Sequence, residues 1–90
     1  RYNPELTRNH INAMVSIQVA PKARPEFGKM LQYQPAVRQC YQVTGTYSHM
    51  VQVQCRDIAA LEKLLSLLQK HGQTNTQIIL ATMEGLGLDF

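Results

Sequence analysis

Two stretches in which apolar and polar residues alternate, 37–44 and 50–55, lie on either side of a short segment centred on Gly45. Alternation at period two marks a half-buried strand, and a glycine between two such runs marks a hairpin. Gly45 is free to take the positive φ that tight connections often need, and it leaves room for something to approach the backbone. A further strand and a helix are readable on each side of this pair, so the hairpin is expected at the centre of the sheet.

The flanking segments follow the same logic. Ile11, Ala13, Val15, Ile17 and Val19 alternate with Asn12, Met14, Ser16 and Gln18, which gives a first strand that Pro21 ends. Phe27, Met30 and Leu31 stand at helical spacing within 22–33, and Pro25 is tolerable only in a first turn, so a helix is expected to begin near Arg24. After the hairpin, Asp57 stands as an N-cap before Ile58, Leu61, Leu64, Leu65 and Leu68, whose steps of three and four make an amphipathic helix. That stripe spans barely one heptad, which favours a core-facing helix over a coiled coil. Gly72 is expected to stop the helix, and 74–83 to form a last strand.

The order is therefore β-α-β-β-α-β: two split βαβ units, with both helices on one face of a four-stranded antiparallel sheet. This is an α+β, ferredoxin-like arrangement that leaves the other face bare. Its expected residues are Met14, Gln18, Cys40, Gln42, Gln52 and Gln54, with Ile79 or Ile78. A 90-residue chain forms one domain with a thin core, and an uncovered face of uncharged and apolar side chains points to sheet-to-sheet dimers, a dimeric α/β sandwich, in preference to the alternative of a solvated Gln-rich face. Tyr41 is expected in the core, by its parity with Val37 and Val43, and Tyr47 either in the core or at a ligand.

Composition excludes several function classes. The net charge of +3 is spread from Arg1 to Lys70 rather than clustered, with no Trp, which argues against direct nucleic-acid binding. No apolar run approaches a membrane span. Cys40 and Cys55 are too few for a disulfide scaffold, and their parities place them on opposite sides of the sheet; a reducing, cytoplasmic setting fits. His10, His49 and His71 lack metal-site spacing, and His49 is expected as an exposed strand-end residue. With six acidic residues, Asp57 used as a cap and Glu26 and Glu62 on exposed helix faces, no catalytic carboxylate pair or Ser-His-Asp set can be assembled, and no cofactor is expected.

Cys40-Tyr41-Gln42-Val43-Thr44-Gly45-Thr46-Tyr47-Ser48 resembles the "CYxVTGxYD" segment of the Lrp/AsnC family of transcription regulators, in their C-terminal effector-binding (RAM) domain. Arg56-Asp57-Ile58-Ala59-Ala60-Leu61-Glu62 is similar to the family's "RDxxALE" helix start. Thr74-Asn75-Thr76-Gln77-Ile78-Ile79-Leu80 is similar to its "TxTxIVL" last strand. Residues 1–6 resemble, in compressed form, the linker strand that leaves the DNA-binding domain. The resemblance covers nearly the whole chain. It divides it into an arm, 1–9, and an effector-binding and oligomerisation domain, 10–90. The chain starts at Arg1 without an initiator Met, and the resemblance implies either the effector half of a longer regulator or a stand-alone RAM protein, the linker-like start favouring the first.

The resemblance implies dimers, assembled further into tetramers or octamers, with an amino-acid effector held between dimers beside the hairpin turn. DNA would be bound only through a domain outside this chain. The family's pocket maps onto Gly45, Thr46, Tyr47 and Ser48, with Thr74 and Thr76 from the last strand. Backbone groups and hydroxyls there offer donors for a carboxylate and acceptors for an ammonium. Ser48 departs from the pattern, which carries an acidic residue at that place, and the stretch 72–74 is about two residues shorter than usual. Two other classes share the topology: a small dimeric enzyme of the cofactor-free monooxygenase type, and a stand-alone amino-acid sensor such as an ACT domain. The enzyme would need a catalytic His, Asn or Trp in a pocket between sheet and helices, and the ACT domain lacks this hairpin signature.

Overall fold

The computed structural model of the chain describes residues 10–83. Strand β1 (Ile11–Val19) is followed by a short 3-10 turn at Pro21–Ala23 and by helix α1 (Arg24–Gln32). Strands β2 (Val37–Gln42) and β3 (His49–Cys55) form the hairpin, and helix α2 (Ile58–Gln69) leads into β4 (Gly72–Ile79). All pairings are antiparallel and the strand order is β2-β3-β1-β4. The fold is thus the ferredoxin-like one, with β1 and β3 in the middle. The hairpin is not central as a unit, because β2 is an edge strand. Among the described residues no helix is long and apolar enough to cross a membrane.

The core lies between the helices and one face of the sheet. Ala13, Val15, Ile17 and Val19 of β1 and Val51, Val53 and Cys55 of β3 are buried against Phe27 and Leu31 of α1 and Leu61, Leu64 and Leu68 of α2. Fully burying a side chain such as Phe27 or Leu68 contributes about 1.5–3 kcal/mol each, so these few anchors fix how the helices sit. Ile58, expected on the same stripe, is half exposed at the start of α2. That start is set by Asp57, whose Oδ1 accepts from the Ala60 N–H at 2.8 Å.

Three expectations fail for one reason. The β2–β3 register slips between Val37 and Gln39, so that Arg38 is an extra, bulged residue. Beyond the bulge, parity is inverted relative to Val37. Cys40 lies opposite Val51 and Gln42 opposite His49, both on the helix-facing side, while Tyr41 lies opposite Met50 on the bare face and is 47% exposed. Cys40 and Cys55 therefore share a side, and Tyr41 is not core. Ile78, paired with Ala13, faces the helices, and Ile79, paired with Asn12, faces away.

The end of α2 also departs from expectation. Gly72 does not stop the helix: α2 ends at Gln69, and the Lys70 and His71 N–H groups bond back to the Leu67 and Leu68 carbonyls. Gly72 instead opens β4, which runs Gly72–Ile79 rather than 74–83, and sits opposite Val19. A Cβ there would collide with the Gln18 carbonyl, so the position needs glycine for close approach of two strands. The bare face carries Asn12, Met14, Ser16, Gln18, Gln39, Tyr41, Met50, Gln52, Gln54, Gln73, Asn75, Gln77 and Ile79 by register, none of them charged, and the bulged Arg38 reaches it by donating from Nε to Gln54 Oε1 at 3.2 Å. The arm expected over 1–9 lies outside the described residues.

Candidate functional site: the hairpin turn and its anchor

The turn between β2 and β3 is closed by the Val43 N–H donating to the Ser48 carbonyl at 2.8 Å. Gly45 has φ +109°, a left-handed value that L side chains rarely adopt, and open space lies where its Cβ would stand. Glycine is required here for conformation and not for packing. Thr46 is exposed and Tyr47 half-buried, so the tip of the turn is open to solvent.

Ser48 is different. It is 7% exposed and fully engaged. Its N–H donates to the Ile17 carbonyl at 3.1 Å, and its Oγ accepts from the Val19 N–H at 2.9 Å. The hydroxyl also lies 3.2 Å from the Ile17 carbonyl and 2.7 Å from His49 Nδ1. A hydroxyl has one proton, so it donates either to Ile17, with His49 donating from Nδ1, or to His49 itself. In either arrangement Ser48 clamps the base of the turn to the end of β1. A carboxylate at this position would meet the Ile17 carbonyl oxygen without a proton to offer it, a physical reason for the neutral residue.

His49 follows on the helix-facing side and is 9% exposed, not the exposed strand-end histidine anticipated. Its ring packs on Phe27 with centroids 5.3 Å apart, and His71 packs on the same ring at 5.7 Å, both tilted at 59°. Burial pushes the His49 imidazole below the ordinary histidine range, and the Arg24 guanidinium adds to this in the same sense. Arg24 is itself held by its Nε donating to the Val19 carbonyl at 3.2 Å. His49, Arg24, Phe27 and Cys40 line a cavity of about 370 Å³ between α1 and β2. Cover under α1 pushes the Cys40 thiol up; burial, then the Asp57 carboxylate, pushes Cys55 up. Neither thiol is activated. Among the described residues no group of His, Cys, Asp or Glu is arranged to hold a metal.

Thr74 and Thr76 are half-buried on β4, opposite Ile17 and Val15, and Gln69 Nε2 donates to Thr74 Oγ1 at 3.4 Å. They stand at the same side of the sheet as His49 but across β1 from it, because Ile17 pairs with both His49 and Thr74. The structure thus gathers Gly45, Thr46, Tyr47 and Ser48 into one turn and leaves Thr74 and Thr76 about two strand spacings, ~10 Å, away. Ser48–His49–Phe27 was missed in the sequence, although His49 shares the parity of Val51, Val53 and Cys55.

Residues 12–85 match the family model for the Lrp/AsnC ligand binding domain. Among solved structures, the chain is similar to the leucine response regulatory protein LrpA of Mycobacterium tuberculosis, with a TM-score of 0.74 and 30% identity over 94% of this chain and 60% of that one. It is similar to the feast or famine regulatory protein of M. tuberculosis complexed with L-methionine, with a TM-score of 0.72 and 28% identity over 99% of this chain and 63% of that one. B. subtilis LrpC shares the fold, with a TM-score of 0.77 at 20% identity over 83% of this chain and 54% of that one. The chain therefore spans little more than half to under two thirds of these regulators' length. No curated protein matches it.

Proposed function

The chain belongs to the Lrp/AsnC ligand-binding domain family, and on that premise we propose that it is the effector-sensing and oligomerisation part of a transcription regulator. The effector is a small molecule, an amino acid by class, held between copies of the domain beside the Gly45 turn. Gly45, Thr46 and Tyr47 contribute the open tip, Ser48 holds the tip in place, and Thr74 and Thr76 contribute hydroxyls from β4. One observation carries this reading: an exposed turn with a left-handed glycine at its tip is clamped at its base by a buried, saturated serine. A turn built only to connect two strands does not need such an anchor. The separation of Ser48 from Thr74 across β1 favours a site completed by a second copy over one enclosed in a single subunit. The L-methionine complex of the M. tuberculosis relative supports the ligand class.

Self-association proceeds through the bare face. Its strand-paired side chains are uncharged, the one charge brought to it being Arg38, whose Nε donates to Gln54 Oε1 at 3.2 Å, and Asn12, 8% exposed, holds an amide nitrogen with no partner among the described residues. In the regulator, a ligand that binds one assembly state better than another shifts the population toward it, and DNA-binding domains attached through 1–9 are repositioned. The domain is a binding module rather than an enzyme. Calorimetry with a panel of amino acids, L-methionine included, paired with native mass spectrometry tests the reading. Heat of binding together with a changed distribution of oligomers is expected; no heat at millimolar ligand removes the effector and leaves an assembly module.

A further inference from the structure

On the helical side, away from the turn and from the bare face, a groove of about 730 Å³ runs between α2 and the residues 34–36 that precede β2. Its floor is apolar: Ala36, Ala60, Leu64 and Leu67. Its rim carries Arg56, Lys63 and Lys70, all exposed. Lys63 and Lys70 are seven residues apart, so they fall on one line along α2, about 10.5 Å apart along the axis, and Arg56 stands just ahead of the Asp57 cap at the start of the helix. The groove's single acid, Asp57, is already engaged. Its Oδ1 caps Ala60, and its Oδ2 lies 3.8 Å from Arg56 Nε, the one ion pair among the described residues.

We propose that this groove docks an acidic amphipathic helix of another protein, whose apolar stripe covers Ala60 and Leu67 while acids seven residues apart meet Lys63 and Lys70. Charge complementarity selects the occupant. A cationic line alone would suit nucleic acid, but phosphates give the apolar floor between the cations nothing to pack against. A neutral apolar helix would leave the lysines at the edge of a drying interface without counter-charge. A guest helix matches both features and the seven-residue repeat, since its own surface has the same period. This inference is independent of the effector reading.

The test uses the full 90-residue chain and a fluorescein-labelled helical peptide with leucines at alternating steps of three and four and glutamates seven apart, read by anisotropy. Saturable binding is expected. It weakens as salt rises from about 0.1 M to about 1 M, which shortens the Debye length from ~10 Å to ~3 Å. Lys63→Glu combined with Lys70→Glu weakens it by about tenfold or more. Lys22→Glu combined with Lys29→Glu, an equal change of charge at exposed positions elsewhere, leaves it unchanged. All four lysines are exposed, and circular dichroism verifies that both variants fold. The proposal is overturned by absence of binding, by indifference to the Lys63 and Lys70 reversal, or by equal binding of a peptide with serines for leucines. It is also overturned if duplex DNA displaces the peptide at equal charge. Binding that emerges only after removal of residues 84–90 would assign the groove to the chain's own end and equally defeats it.

Discussion

His49 sits where titration and structure meet. Arg24 and Phe27 of α1, Cys40 of β2 and Ser48 surround its ring, and His71, just past α2, packs on the same Phe27. Its folded-state pKa is lowered, chiefly by burial and then by Arg24, so the unfolded chain takes up the proton first. The stability this confers is complete above the unfolded value, about 6.5, and is lost as pH falls through that value toward the lower folded one. Urea midpoints should therefore drop between about pH 7.5 and about pH 5.5. His49→Gln should flatten that drop; an unchanged slope in the variant would mean that another group carries it. The side of the sheet that His49 faces was legible, since it is in step with Val51 and Val53. The role of Ser48 was not: its partners Ile17 and Val19 lie about thirty residues back along the chain, and no local pattern encodes a clamp of that kind.

Among the elements, helix starts were easier to read than ends. Asp57 is a side-chain cap with its own chemical signature, whereas the end of α2 depends on where β4 begins. Gly72 has two competing explanations in sequence, a helix stop or a close strand approach, and only the packing of Gln18 against it chooses the second. Gly72→Ala would drive a methyl group into that carbonyl and push the start of β4 off β1. A loss of about 3 kcal/mol is expected, read as a lowered denaturation midpoint together with faster hydrogen exchange in 72–76. Exchange unchanged in that segment would refute the account. Strand β2 was misassigned beyond Val37 because the bulge at Arg38 adds one residue without altering composition. Alternation read across a bulge inverts inside and outside.

For the whole molecule, the architecture was legible because each element carried its own periodicity and the split βαβ order admits few arrangements. The bare face was legible only in its general chemistry, a mixture of apolar and uncharged polar side chains, and the Arg38 that the bulge brings to it was not. Met50 lies on that face opposite Tyr41 and Ser16. In a sheet-to-sheet dimer, Met50→Lys would set like charges within one closed interface and raise the dissociation constant by about tenfold or more. Sedimentation equilibrium of the variant against the parent measures this, and identical dissociation would place self-association on some other surface.

The clamp at Ile17 has a mechanical corollary. One residue of β1 grips the loop on its left and carries Thr74 on its right, so both are fastened to a common rail. A guest that tugged the loop outward would strain the far edge strand as well, passing the pull sideways across the subunit without bending either helix.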